Sequence, residues 1–246
     1  MTGLIFPASP PPMPHDATPQ RRAVVLLSGG LDSTVTAAVA QQEGCDLFLL
    51  TIAYRQRHAV EIEQARQVAA ALRAHSHIVV EVDLRALGGS ALTGDLPVPK
   101  DRPEQERAQG IPVTYVPARN LIFLSLAAAH AEVLGASAIY FGANVLDYSG
   151  YPDCRPEFIR AFEETVAVGT KRGVEGSRVE VRAPLLTLSK AEIIQLGMKL
   201  QAPLHLTHSC YDPVGSLACG RCDSCAIRRQ GFAQAGVEDP TAYAVP

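Results

Sequence analysis

Short runs of branched apolar residues alternate along this chain with segments of helical periodicity, and nothing else in the sequence constrains the fold as strongly. "AVVLL" (Ala23 to Leu27), "DLFLLTIAY" (Asp46 to Tyr54), "HIVVEVDL" (His77 to Leu84), "AIYFGAN" (Ala138 to Asn144) and "VEVRAPL" (Val179 to Leu185) read as strands buried on both faces. Between them, Ser33 to Gln42 reads as a helix. Ile62, Ala65, Ala69 and Leu72 recur at helical spacing between Ala59 and Ala74, and "NLIFLSLAAAHAEVLG" reads as a buried helix ended by Gly135. Ser189 and Glu192 form a Ser-x-x-Glu capping box at the head of a further helix. Strands and helices in this alternation predict a doubly wound parallel sheet of the α/β class with right-handed crossovers. Ligands of such sheets bind outside the carboxyl ends of the strands.

Residues 1–22 carry Pro7, Pro10, Pro11, Pro12, Pro14 and Pro19 and read as a disordered tail. Residues 23–200 then form the main domain and 201–246 a small C-terminal segment. The stretch from Arg85 to Ala118, with Gly88, Gly89, Pro97, Pro99, Pro103 and Pro112, reads as a lid or a partly disordered loop. A net charge of -3 gives no pull toward nucleic acid, so a small-molecule substrate is expected and no nucleic-acid partner. No apolar run approaches the roughly 20 residues of a membrane span, and no export signal is visible. A cytoplasmic protein is expected.

The first strand runs into "SGGLDS", Ser28 to Ser33. A strand feeding a helix through glycines exposes backbone N–H groups at the positive end of the helix dipole, a ready site for phosphate. Gly29 and Gly30 permit close approach of the anion, and Ser28 and Ser33 offer hydroxyl donors. Asp32 would repel a bare phosphate, which makes sense if a magnesium ion accompanies a nucleotide. Neither the spacing nor the lysine of the common nucleoside triphosphatase loop is present. A plain turn with a helix cap is the competing interpretation.

Cys210, Cys219, Cys222 and Cys225 stand in a C-x8-C-x2-C-x2-C pattern. Four thiolates so close in sequence suit one tetrahedral zinc ion, and four protein ligands make that zinc structural rather than catalytic. Such use of cysteine fits a reducing compartment. A third polar constellation, "GANVLDYSGYPDCRPEF", follows the fourth strand where a parallel sheet places its substrate loops. It holds Asp147, Tyr148, Tyr151, Asp153, Cys154 and Arg155. A carboxylate there can accept both the ring N–H and the exocyclic amine of a guanine-type edge, and aromatic rings can stack on its face. A polar surface loop with aspartate caps would have the same composition.

"SGGLDS" resembles the SGGxDS loop of the ATP pyrophosphatases, also called PP-loop enzymes, of the adenine nucleotide alpha hydrolase-like fold. Together with "YVPARNLIFLSLAAAHAE", "DYSGYPDCRPEFIRAF", "APLLTLSKAEI" and "CGRCDSC", it resembles the 7-cyano-7-deazaguanine synthases of queuosine precursor biosynthesis from Ala23 to about Pro240. One departure stands at "YRQRH", where that family reads Tyr-Gly-Gln-Arg-His and this chain has Arg55.

The resemblance implies that 7-carboxy-7-deazaguanine and ammonia are converted to the nitrile by two adenylations, since oxide is a poor leaving group from both the acid and the amide. Leu27, Ser28, Gly29, Gly30, Leu31, Asp32 and Ser33 would then bind ATP with Mg2+. Asp32, Ser33, Lys190 and Arg119 would act in catalysis, and Asp147, Tyr151, Asp153 and Arg155 would bind the deazaguanine. One zinc per subunit and a homodimer are also implied. Two other readings remain at this stage: a PP-loop tRNA-thiolating enzyme, and a zinc-ribbon binding module without catalysis.

Overall fold

A computed structural model describes residues 21–54, 60–107, 110–145 and 151–245. The chain runs β1 (Arg21–Leu26), α1 (Leu31–Gln42), β2 (Cys45–Ala53), α2 (Val60–Ala71), β3 (Ser76–Glu81), α3 (Glu104–Arg107), α4 (Arg119–Leu134) and β4 (Ala138–Tyr140). It continues through α5 (Pro156–Gly169), α6 (Lys171–Val174), β5 (Glu180–Arg182), α7 (Lys190–Lys199) and α8 (Asp223–Ala235). The five strands are parallel in the order β3-β2-β1-β4-β5. The chain therefore winds outward from β1 to β3, crosses over, and winds outward again from β4. The reversal between β1 and β4 opens a crevice at their carboxyl ends.

Alternate residues of each central strand serve opposite faces. Val24, Phe48, Leu50 and Ile52 pack with Leu124 and Ala127 of α4 and Ile159 and Phe162 of α5. Ala23, Val25, Leu47 and Leu49 pack with Val35 of α1, Val68 of α2, Ile193 of α7 and Phe232 of α8. Both faces are covered, which is why these strands read as unbroken apolar runs.

The sequence-based elements stand with small shifts. β1 begins at Arg21, two residues inside the segment expected to be tail. Gly135 closes α4 at φ 67, and the Ser189–Glu192 capping box is formed. The stretch after β3 differs from the expected lid or disordered loop. Ala91, Leu92, Val98 and Val116 are buried in the core, and ion pairs Lys100–Asp212 (2.8 Å), Arg102–Asp223 (2.9 Å) and Asp101–Arg221 strap it to the cysteine-rich segment. The prolines and glycines that suggested mobility instead shape a packed, irregular connection.

Candidate functional site

The glycine loop leaves β1 at the crevice and enters α1. Gly29 has φ +81, and a Cβ there would lie 2.4 Å from the carbonyl oxygen of Glu61 and 2.8 Å from the amide nitrogen of Ala65. Glycine is thus required twice, by backbone conformation and by the close approach of α2. Gly30 is the N-cap of α1, so the N–H groups of the first helical turn face the crevice. The serine hydroxyls, expected as donors to an anion, are engaged within the loop. Ser28 Oγ accepts the Gly30 N–H (3.2 Å), Ser33 Oγ accepts the Ser28 N–H (3.1 Å), and the two hydroxyls lie 3.0 Å apart. Their role here is to hold the loop's shape.

Asp32 Oδ1 accepts a bond from Lys190 Nζ at 2.6 Å. Lys190 opens α7, and the capping box one residue earlier fixes where that helix starts. Gly231 of α8 makes room for it, since a Cβ there would lie 2.3 Å from Lys190 Cγ. The segment before the cysteines closes the loop from the other side, where the His208 N–H donates to the Gly29 carbonyl at 2.9 Å.

A cavity of 270 Å³ opens from this loop, and its far wall comes from the ends of β2 and β4 and the head of α4. Tyr54 and Phe123 pack with ring centroids 5.6 Å apart, Arg119 lies over the Tyr54 ring at 5.9 Å, and Tyr151 stands in the same wall. Arg119 occupies the first position of α4, where the helix dipole disfavours a cation, so a different requirement keeps it there. Asp153 explains how that helix end is satisfied. Its Oδ2 accepts the Asn120 N–H (2.9 Å), replacing the cap that Ala118 lacks, while the buried Oδ1 has no hydrogen-bond partner among the described residues. Asn120 Nδ2 also donates to Cys154 Sγ at 3.2 Å. Burial, with Asp153 adjacent, pushes the Cys154 thiol up to about 12, so it is a neutral thiol and a poor nucleophile.

Of the residues singled out from sequence, the loop, Lys190, Arg119 and Tyr151 line this crevice, and Asp153 is bonded to its wall through Asn120 without lining it. Arg155 does not: it is the exposed N-cap of α5 and lies outside the cavity wall. Asp147 lies outside the described residues, as does Arg55. Sequence reasoning missed Glu61, in the first turn of α2, which lines the cavity between loop and aromatic wall. Its only sequence signal was its place near the end of β2.

The four cysteines also come together. All are buried, and their sulfurs lie within 4.8 Å of one another. Separations of 4.0 Å (Cys210 to Cys222), 4.0 Å (Cys219 to Cys225) and 3.5 Å (Cys222 to Cys225) match the ~3.8 Å edge of a tetrahedron with bonds of ~2.3 Å. Backbone N–H groups of Asp212 and Cys219 point at Cys210 Sγ, and those of Arg221 and Cys222 at Cys219 Sγ. Donors of this kind stabilise thiolates, so the donor set fits a metal ion.

A doubly wound sheet that presents a glycine loop, a helix N-terminus and a lysine–aspartate pair at its switch point defines a nucleotide-handling α/β protein. The model of the family "Queuosine biosynthesis protein QueC" matches residues 22–236. Two curated relatives, each called 7-cyano-7-deazaguanine synthase, are similar to most of the chain. That of Myxococcus xanthus is 60% identical over 91% of this chain and 97% of its own, and that of Anaeromyxobacter dehalogenans is 60% identical over 91% and 96%. The chain belongs to this queuosine biosynthesis family. Among solved structures, a 4-thiouridine synthetase bound to RNA and ATP overlaps at a TM-score of 0.49 and 20% identity, covering 88% of this chain and 50% of that one.

Proposed function

We propose that this chain is an ATP-dependent C–N ligase that converts 7-carboxy-7-deazaguanine and ammonia to 7-cyano-7-deazaguanine, the reaction its curated relatives are named for. The observation that carries the reading is that a phosphate-type loop and an aromatic wall share one cavity. An acid held against the wall would have its carboxylate directed at the α-phosphorus of ATP. The substrate oxygen forms the new bond to phosphorus, pyrophosphate leaves, ammonia displaces AMP to give the amide, and a second adenylation removes the amide oxygen.

The protein's part is positioning and charge stabilisation. Leu27 to Ser33 would hold ATP, with the helix N–H groups on its phosphates. Lys190 would exchange its bond to Asp32 for one to phosphate, which frees Asp32 for Mg2+. Arg119 would neutralise charge building at the reacting carboxyl. Tyr151 would stack on the deazaguanine, and Asp153 Oδ1 would accept from its N–H edge, with Asp147 assigned to the same task. Arg155, exposed at the head of α5, has no support from its position for direct contact. Zinc is the metal we assign to Cys210, Cys219, Cys222 and Cys225, where it would be structural. No helix among the described residues is long and apolar enough to cross a membrane. A cytoplasmic homodimer without a nucleic-acid partner completes the reading, and light scattering showing only monomer at micromolar concentration would remove the dimer.

The deciding experiment supplies purified protein with Mg2+, ATP, ammonium and 7-carboxy-7-deazaguanine, and scores nitrile, amide and AMP by mass spectrometry. Nitrile with two AMP per product is expected. ATP binding with neither amide nor nitrile would favour a thiolating enzyme. A protein that binds zinc but no ATP would be a binding module.

A further inference from the structure

Ammonia poses a problem that the groups above do not solve. Like the amine of lysine, with a pKa of about 10.4, ammonium is almost wholly protonated at neutral pH and has no lone pair with which to attack. A site that uses it must take a proton from it next to the activated carbon.

Among the described residues, the carboxylates on the cavity wall are Asp32 and Glu61. Asp32 is paired with Lys190 here and is assigned to Mg2+ once ATP is bound. Glu61 is held in place by its backbone, since α2 packs on the loop at Gly29 so closely that no Cβ fits between them. The residue lines the cavity between the loop and the aromatic wall. Among the described residues, the charged and titratable groups around it include Tyr54 at the end of β2 and Arg119 at the head of α4, with Asp32, Lys190, His208 and Arg228 on the same cavity wall. An acid in the first turn of a helix is ordinarily explained by the dipole, and an exposed one would need nothing more. This one is half-buried in the cavity wall. Burial pushes its carboxyl up to about 7 against the opposing pull of Arg119, so both protonation states are populated at neutral pH.

We propose that Glu61 captures the incoming ammonium ion and accepts its proton, delivering neutral ammonia to the activated carboxyl carbon. The inference rests on the acid-to-nitrile reaction proposed above. In the step, one N–H bond of ammonium breaks and its proton passes to a Glu61 oxygen. The freed lone pair forms the C–N bond, the C–O bond to phosphate breaks with its electrons leaving on AMP, and the bound nitrogen releases a second proton to solvent to give the amide. Arg119 on the same wall disfavours re-forming a cation after the transfer, which holds the nucleophile in its neutral form. A group matched in this way to the working pH contributes roughly 10²–10⁴ in rate.

The test uses Glu61→Gln in the full chain with three readouts. The first is ATP–pyrophosphate exchange dependent on the carboxy substrate, which needs no ammonium. The second is amide and nitrile formation from ammonium, and the third is hydroxamate formation from hydroxylamine, a nucleophile already neutral at pH 7. Exchange and hydroxamate are expected to stay close to wild type, while the ammonium products fall by about 10²-fold or more. Unchanged amide formation would overturn the proposal. So would parallel loss of all three readouts, because Glu61 would then be holding substrate or structure. Wild-type protein that shows no exchange would bring down the ligase reading and this inference with it. Should Glu61→Gln not fold, Glu61→Asp keeps the carboxylate one methylene back. It is expected to raise the KM for ammonium with exchange unchanged, and an unaltered ammonium dependence would refute the role.

Discussion

Gly29→Ala tests the geometry of the phosphate loop most directly. At φ +81 an alanine bears the left-handed backbone cost of roughly 1–2 kcal/mol. Its methyl would also stand 2.4 Å and 2.8 Å from two backbone atoms of α2, which cannot rotate aside. Overpacking of that kind costs roughly 1–3 kcal/mol. The sum, about 2–5 kcal/mol, corresponds to a fall in melting temperature of about 4–20 °C for a chain of this size. Gly44→Ala supplies the comparison, because Gly44 has φ +79 and nothing within 4 Å of the added Cβ. It should show only the backbone part, about 2–8 °C. Any gain from stiffening the unfolded chain is shared by both variants and cancels. Melting both proteins by calorimetry, and titrating both with ATP, separates the parts: Gly29→Ala should melt lower and lose ATP binding, while Gly44→Ala keeps it. Equal melting temperatures with ATP binding intact in both would refute the close approach of α2 to the loop.

The cysteine cluster predicts that Cys222→Ser loses its metal and costs more than about 4 kcal/mol of stability, read by elemental analysis and denaturant titration. A metal-free variant with wild-type stability would contradict it. Gly231→Ala should push Lys190 from its seat on α8 and lower turnover without removing any polar group, so activity that matches wild type would show that the lysine has another route to the loop. Glu61 also makes a statement about stability and pH. Its carboxyl is raised from 4.5 to about 7 on folding, so the folded chain binds the proton more tightly than the unfolded one. Stability contributed by this group is therefore present at low pH and is lost as pH rises from 4.5 toward 7. Urea titrations across that window should show the slope flattened in Glu61→Gln, and an identical slope would remove the shift.

The sheet was legible because its signals are local. Periodicity marked the strands and helices, Ser189 and Glu192 marked the start of α7, and Gly135 marked the end of α4. The glycine loop and the cysteine cluster were legible for the same reason, each being a compact motif. The far wall of the cavity was not, since Tyr54, Glu61, Arg119 and Tyr151 meet only once strand order fixes which ends lie side by side. Asp153 shows what composition leaves out, as one of its oxygens accepts the N–H of Asn120, 33 residues earlier in sequence, at the head of α4. Arg155 sits two residues further on, and the start of α5 turns it to solvent. The strapped loop from Arg85 to Ala118 was misread because its anchors, Asp212, Arg221 and Asp223, lie about a hundred residues away and no local pattern announces them.

That strap has a consequence for the order in which the molecule is completed. A ribosome adds roughly 5–20 residues per second, and early segments begin to fold while later ones are still being made. The five strands are all synthesised before residue 183, so the sheet can form while the chain is still attached. The backbone bond from His208 to Gly29, the seat that Gly231 makes for Lys190, and the anchors of the Lys100 region all lie in the last stretch to emerge. A nascent chain therefore carries the phosphate loop without the partners that shape it. The loop therefore takes on its final surroundings only when the C-terminal segment has folded against it.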